Sequence, residues 1–384
     1  MLTSLRVLHI YRTYFPETQG GLQEAIRQFC LATKPLAVDN TIFALARQPE
    51  PATLDLPEGR LVRARSWFEI ASCDFGGWDA LVRCREAADQ CDVIQIHYPW
   101  PFADMLLPFI RRRKQPVIVT YVSDIVRQKG LGQMYAPLRR YLLGAASRIV
   151  ASSPNYAESS EVLRSHREKL VCIPHCLAEA PTPDAALCAQ WAAKLGRSFF
   201  LFVGVLRYYK GLDFLLAAAG LVKVPIVIVG DGPEGARLQR LAKAQGLTNV
   251  YFLGALPDAD KLALFELCRA VVFPSHLRSE AFGITLLEGA RVAKPLISCE
   301  MGSGTSWVNR DDETGLVIPP ADHVPLAQAI SALAGDDALC RRLGDGARRR
   351  WLSHFTPGVV GGAYRALYDE VLDTPALCLA RPER

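Results

Sequence analysis

Arg278-Ser-Glu-Ala-Phe-Gly-Ile-Thr-Leu-Leu-Glu288 sets two carboxylates, Glu280 and Glu288, eight positions apart, with a Phe-Gly turn between them. An apolar helical run follows the turn. Upstream, residues 270–274 (Ala-Val-Val-Phe-Pro) read as a buried strand, and downstream 294–298 (Lys-Pro-Leu-Ile-Ser) read as the next. Glu280 therefore falls in a loop where a strand ends and a helix begins, the ligand position of an open α/β sheet. The backbone amides of Phe282, Gly283, Ile284 and Thr285 are then the donors left over at a helix start, a place that binds anions, phosphates above all. Gly283 lets backbone approach a ligand closely, and Glu288 stands within reach of a ribose diol.

Outward from this stretch the same grammar repeats. Strands are expected at residues 6–11, 41–46, 93–97, 117–121, 148–152 and 170–174, with a helix at 22–36 opened by Gly20-Gly21 and another capped by Ser153-Pro154. Residues 177–197, rich in Ala and holding Pro181-Thr-Pro183, change character and read as a link with a short helix. The pattern restarts at 199–205, 225–229, 250–253, 270–273 and 295–298, and amphipathic helices fill 325–373. Short apolar β-rich runs between helices predict parallel sheets covered on both faces. The expected organisation is a first domain at 1–176, a link at 177–197, a second domain at 198–360, and a final helix and frayed tail at 361–384.

Composition sets the bounds. A chain of 384 residues, 50% hydrophobic and 22% charged, suits two α/β domains with two cores. The net charge of +5 is mild and does not by itself imply nucleic acid. No run of eighteen apolar residues is present to form a spanning helix, and Met1 leads straight into a strand pattern without a signal-peptide layout. The expected setting is cytoplasmic. Eleven scattered cysteines lack a Cys-x-x-Cys pair and read as reduced, small apolar residues.

Three further loops carry chemistry. Phe202-Val-Gly-Val-Leu-Arg-Tyr-Tyr-Lys-Gly211 puts Arg207 and Lys210 after a strand, cations fit to meet negative charge on a ligand. A solvated basic loop is the plainer alternative. Val229-Gly-Asp-Gly-Pro233 reads as a structural strand-to-helix junction. Gly20 and Gly21 suit either a tight turn or the approach of a phosphate or sugar. Arg111-Arg112-Arg113-Lys114, with Arg139 and Arg140 on a following helix, suits an anionic lipid surface or a solvated helix end.

The phrase at 278–288 closely resembles the donor-site signature of the family-4 retaining glycosyltransferases, and the resemblance runs over nearly the whole chain. It implies the GT-B fold: two Rossmann-like, doubly wound parallel-sheet domains facing across a cleft, the first binding the acceptor and the second the nucleotide sugar. It assigns Glu280 to sugar hydroxyls, Glu288 to the ribose, and Gly20-Gly21 to the family's glycine loop. It sets His97 and Asp124 beside them as catalytic candidates, and Arg207 and Lys210 against the diphosphate. The family more often has Arg directly after Gly204, where this chain has Val205, so Arg207 is expected to take that role. In Thr120-Tyr-Val-Ser-Asp124, Val122 stands where related enzymes carry a His bonded to the sugar 6-hydroxyl. A valine cannot make that bond, and an unpaired hydroxyl there costs about 1–3 kcal/mol. A 6-deoxy sugar follows from that reading, unless water or another residue serves the hydroxyl.

Shorter phrases, among them Tyr208-Tyr-Lys-Gly211, Ser123-Asp-Ile-Val126 and Ala151-Ser-Ser-Pro-Asn155, resemble bacterial lipopolysaccharide O-chain mannosyltransferases. The resemblance points to GDP-D-rhamnose as donor, with GDP-mannose the close alternative, and to a lipid-linked oligosaccharide acceptor. No cofactor or metal is expected, because no Asp-x-Asp cluster is placed to bridge phosphates. A sugar-nucleotide epimerase or phosphorylase of the same fold is the reading from another class.

Overall fold

The computed structural model describes residues 4–70, 73–112, 115–124 and 129–373, with backbone alone at 129–134. The chain forms two compact units. The first comprises 1–152, 160–176 and 357–384; the second comprises 153–159 and 177–356.

In chain order the first stretch runs β1 (Leu5–Ile10), α1 (Gly21–Thr33), β2 (Val38–Ala46), β3 (Thr53–Leu56), β4 (Gly59–Ile70), β5 (Cys73–Gly76), α2 (Trp78–Asp89), β6 (Val93–Tyr98), α3 (Pro101–Ile110), β7 (Val117–Tyr121), α4 (Lys129–Ala145), β8 (Arg148–Ala151), α5 (Pro154–Ser159), α6 (Glu161–Arg164) and β9 (Leu170–Cys172). The sheet order is β3-β4-β2-β1-β6-β7-β8-β9, with β5 paired to β4. Pairing is parallel throughout except at β3–β4 and β4–β5. The antiparallel edge made by β3, β4 and β5 was not among the expected strands.

The second stretch runs α7 (Ala185–Leu195), β10 (Phe200–Val203), α8 (Leu212–Ala219), β11 (Ile226–Val229), α9 (Gly235–Ala244), β12 (Val250–Gly254), α10 (Asp258–Leu267), β13 (Ala270–Phe273), α11 (Ile284–Arg291), β14 (Leu296–Cys299), α12 (Thr305–Val308), β15 (Gly315–Ile318), α13 (His323–Gly335), α14 (Asp337–His354) and α15 (Pro357–Asp373). Its six strands are all parallel in the order β12-β11-β10-β13-β14-β15. Side chains alternate across this sheet. Phe200, Phe202, Ile226, Ile228 and Val272 bury one face under α8, α9 and α13, and Leu201, Val203, Val227, Val271 and Phe273 bury the other under α10, α11 and α14. Burial on both faces is why these strands read as continuous apolar runs.

Three boundaries differ from the sequence expectation. The stretch expected as a link belongs to the second unit: α7 is capped by Asp184, whose carboxylate accepts from the amides of Ala186 and Leu187, and it packs on α10. The second unit ends at 356, not 360, because α15 packs on α1 from its first turn. There Arg365 donates to the Leu36 carbonyl at 2.8 Å and Tyr368 to the Gln95 side chain at 2.6 Å. Residues 153–159 sit with the second unit, held by Asn155 on Ser306 and by Ser159 on the Gly302 carbonyl. The tail from 374 lies outside the described residues.

Candidate active site

The second sheet reverses its strand order between β10 and β13, and a ligand crevice opens at such a reversal, outside the carboxyl ends of the strands. Two loops leave the sheet there. The one after β10 carries Arg207 and Lys210; the one after β13 carries Glu280. Gly211 holds them together. Its φ is +70°, and a Cβ on it would lie 1.9 Å from the Pro274 carbonyl oxygen, so only glycine allows the first loop to lie on the second. Lys210 Nζ then donates to Glu280 Oε2 at 2.6 Å, and Ser275 Oγ donates to the same oxygen at 3.1 Å. Both charged side chains are close to nine-tenths buried. The ammonium also lies 4.6 Å from the centre of the Phe273 ring. Burial and the nearby Glu280 carboxylate push the Tyr209 hydroxyl up to about 12.

Helix α11 starts from Gly283, in the left-handed region at φ +90° with no side-chain cap, so its first amides have no acceptor within the helix. Thr285 fixes this turn by donating its hydroxyl to the Val203 carbonyl at 3.1 Å, which ties α11 to the end of β10. Phe282 contributes backbone only, because its ring packs edge-on against Phe355 in the core. Ile284 and Glu288 are half-buried on α11. Arg207 is exposed and its guanidinium makes no bond among the described residues; Val205 beside it is exposed as well.

The 300–304 turn braces this loop, a contribution not visible in the sequence reading. Gly304 donates its amide to the Ala281 carbonyl at 2.8 Å, and Arg278 reaches the Gly302 carbonyl at 3.1 Å. Arg278 also lies over the Tyr156 ring. Ser275 was missed too, although a Ser directly after the strand-ending Pro274 was a usable signal. The Gly230-Asp-Gly232 junction is structural: a Cβ on Gly230 would stand 2.0 Å from the Gly204 carbonyl oxygen.

In the first unit the strand order reverses between β1 and β6. Gly20, extended at φ −175°, precedes α1, and Gly21 opens it. Asp124 follows β7 and its Oδ1 accepts from Tyr121 and from Ser160, each at 2.8 Å. Val122 is half-buried, with its amide on the Tyr98 carbonyl at 3.0 Å.

His97 departs from expectation. It is fully buried on β6, its Nε2 is 3.2 Å from His9 Nδ1, and the two rings stack. Burial first, then the neighbouring His9 and His175, holds it well below the usual histidine range. Its side chain presents no accessible surface in this structure. The described part of the basic run has partners within the protein. Arg111 donates to the carbonyls of Gln115 and Ala145, and Arg112 pairs with Asp89 at 2.7 Å. Arg113 and Lys114, like Ile125 and Val126, lie outside the described residues.

Among the described residues no group of three His, Cys, Asp or Glu side chains is placed to hold a metal ion, and no helix is long and apolar enough to cross a membrane. The Asp258-Ala-Asp260 sequence on α10 is engaged elsewhere, with Lys261 and with the Trp191 indole. The ten described cysteines are free thiols.

Two doubly wound units and a phosphate-ready helix start are the architecture of a nucleotide-sugar-dependent transferase, and solved structures agree on the fold. Sucrose-phosphate synthase from Thermosynechococcus elongatus superposes with a TM-score of 0.77 at 21% identity, over 96% of this chain and 99% of that one. Anabaena HepE, solved in complex with UDP, gives 0.73 at 15%, over 95% and 100%. The description "Glycosyl transferases group 1" matches residues 186–350 and "Glycosyl transferase 4-like domain" matches 20–176. O-antigen chain mannosyltransferase C of Escherichia coli is 45% identical over 96% of this chain and all of its own length. D-rhamnosyltransferase WbpZ of Pseudomonas aeruginosa is 45% identical over 92% of each. The chain belongs to the group 1, family-4-like glycosyltransferases, and it is a GT-B enzyme.

Proposed function

We propose that the chain transfers D-rhamnose from GDP-D-rhamnose to a lipid-linked O-antigen glycan, with retention at the anomeric carbon and without a metal ion. The observation that carries the reading is the Lys210–Glu280 pair at the strand-order reversal, beside the open amides of α11. The bond from the sugar C1 to the diphosphate breaks and its electron pair leaves with the phosphate. Lys210 and Arg207 neutralise that charge, together with the amides of Gly283, Ile284 and Thr285. The acceptor oxygen bonds to C1 on the same face, and its proton passes to the departing phosphate oxygen. Glu280 holds the sugar O3 and O4, Glu288 the ribose, and Asp124 a sugar or acceptor hydroxyl. Two cations at the diphosphate stand in for a metal.

Val122 supports the 6-deoxy sugar, since an isopropyl group welcomes a methyl and leaves a hydroxyl unpaired. Mannosyl transfer from GDP-mannose is the second reading, favoured by the name of the 45%-identical Escherichia coli relative. A lipid-linked acceptor places the enzyme peripherally on the inner face of the cytoplasmic membrane.

The test is nucleotide release from GDP-D-rhamnose, GDP-mannose and UDP-hexoses, with EDTA present and a lipid-linked oligosaccharide acceptor. Preference for GDP-D-rhamnose is expected, and Val122→His should shift it toward GDP-mannose by about tenfold. Preference for GDP-mannose in the unaltered protein would remove Val122 as selector. Dependence on a divalent ion would overturn the account of the leaving group.

A further inference from the structure

The first unit holds an open groove of about 560 Å³ at the sheet edge, lined chiefly by Arg47, Arg65, Trp67, Phe68, Glu69 and Asp74. Its volume lies within the range of small-ligand sites. None of these residues serves the donor site described above. A bulge between Ser66 and Phe68 shifts the β4–β5 register and re-aims the aromatic pair outward. Trp67 and Phe68 are 66% and 52% exposed, yet neither ring is loose. One face of Trp67 closes over Gly77, where an added Cβ would meet the indole at 2.6 Å, and Phe68 stacks on Phe75 at 5.3 Å. Each ring is thus held from behind and offers its other face.

The polar lining decides what fits. Two guanidiniums and two carboxylates share the groove: Glu69 lies 4.0 Å from Arg47, and Asp74 accepts from Ser66 at 2.8 Å. The charges balance, so the groove does not concentrate an anion, and Glu69 and Asp74 oppose a phosphate-covered surface. Donors and acceptors around fixed aromatic faces match a neutral, polyhydroxylated ring. The C–H face of a pyranose covers an aromatic ring while its vicinal hydroxyls meet Arg and carboxylate. We propose that this groove is a glycan-binding subsite, which takes pyranose units of the acceptor chain other than the one that reacts. The proposal rests on the reading that the acceptor is a glycan.

The full chain would be titrated, without donor, with short oligosaccharides of mannose and of D-rhamnose, read by tryptophan fluorescence and calorimetry. Saturable binding is expected, weakened about tenfold in Trp67→Ala and several-fold in Glu69→Gln. KM for longer acceptors should rise in both variants, while KM for donor and transfer to a monosaccharide acceptor stay unchanged. Melting curves check folding, and Arg47→Gln, altered at a solvent-exposed side chain, carries the test if Trp67→Ala does not fold. Absence of saturable binding, or equal binding by the folded variants, overturns the subsite. So does co-sedimentation with anionic phospholipid vesicles in place of glycan affinity, which would make this face a membrane contact. Glycan binding with no nucleotide release from any donor would keep the subsite and remove the proposed transfer reaction instead.

Discussion

Lys210 and Glu280 are seventy positions apart in sequence and 2.6 Å apart in space. The residue types and their loops were legible before the structure: a cation after one strand, a carboxylate after another. That they pair was not, because the pairing depends on β10 and β13 being neighbours and on Gly211 lying against Pro274. His97 shows the opposite failure. A histidine ending an apolar strand reads as a site residue, but sequence does not say that its ring is buried against His9 of the neighbouring strand. For Glu280→Ala, transfer should fall by about two to three orders of magnitude while far-ultraviolet dichroism stays native. A variant that retains transfer removes Glu280 from the site.

At the scale of elements, the parallel strands were legible because both faces are buried and the runs are short, apolar and β-branched. The β3–β5 stretch was not, since Arg60, Arg63, Arg65, Trp67 and Glu69 along β4 mix charge and aromatics in place of an apolar run, although β4 pairs on both sides and buries Arg63. The element that positions the site is the loop between β10 and α8. Gly211→Ala forces a side chain onto the Pro274 carbonyl and into the left-handed region, a strain of about 1–3 kcal/mol. A lower melting temperature and a raised KM for donor should appear together; an unchanged pair of values would mean the two loops are held by other contacts.

For the molecule as a whole, the chain passes from the first unit to the second between 176 and 177, but the sequence pattern does not show 153–159 within the second unit, or α15 within the first from 357. Those assignments come from packing against helices and loops distant in sequence, which local pattern does not encode. Whole-molecule stability also carries a pH signature. His9 and His175 are buried and pushed down to about 4 by burial, and His97 is lowered as well. Unfolded histidines bind protons near pH 6.5, whereas folded His9 and His175 refuse them until the pH nears 4. Below about pH 6.5 the unfolded chain therefore binds more protons, and stability falls as pH drops through that window, by an order of 3 kcal/mol for His9 alone. Thermal melts should be level above pH 7 and decline between pH 6.5 and 4.5, with a shallower decline in His9→Asn. An equal slope in that variant would assign acid sensitivity to other groups.

The salt bridge between Lys210 and Glu280 makes the resting site a closed electrical circuit, and a ligand can open it well only by satisfying both ends. A spent nucleoside diphosphate claims the ammonium and strands the carboxylate, which then keeps only the Ser275 hydroxyl as a donor, at a cost of about 1–3 kcal/mol. An intact sugar nucleotide supplies phosphate to one end and hydroxyls to the other. The enzyme should accordingly prefer loaded donor to spent product, which favours product departure after each turnover. Calorimetry should find that preference at about five- to a hundredfold, collapsing in Glu280→Gln, where no charge is left to strand. Equal affinities in the unaltered protein would mean the bridge stays shut throughout.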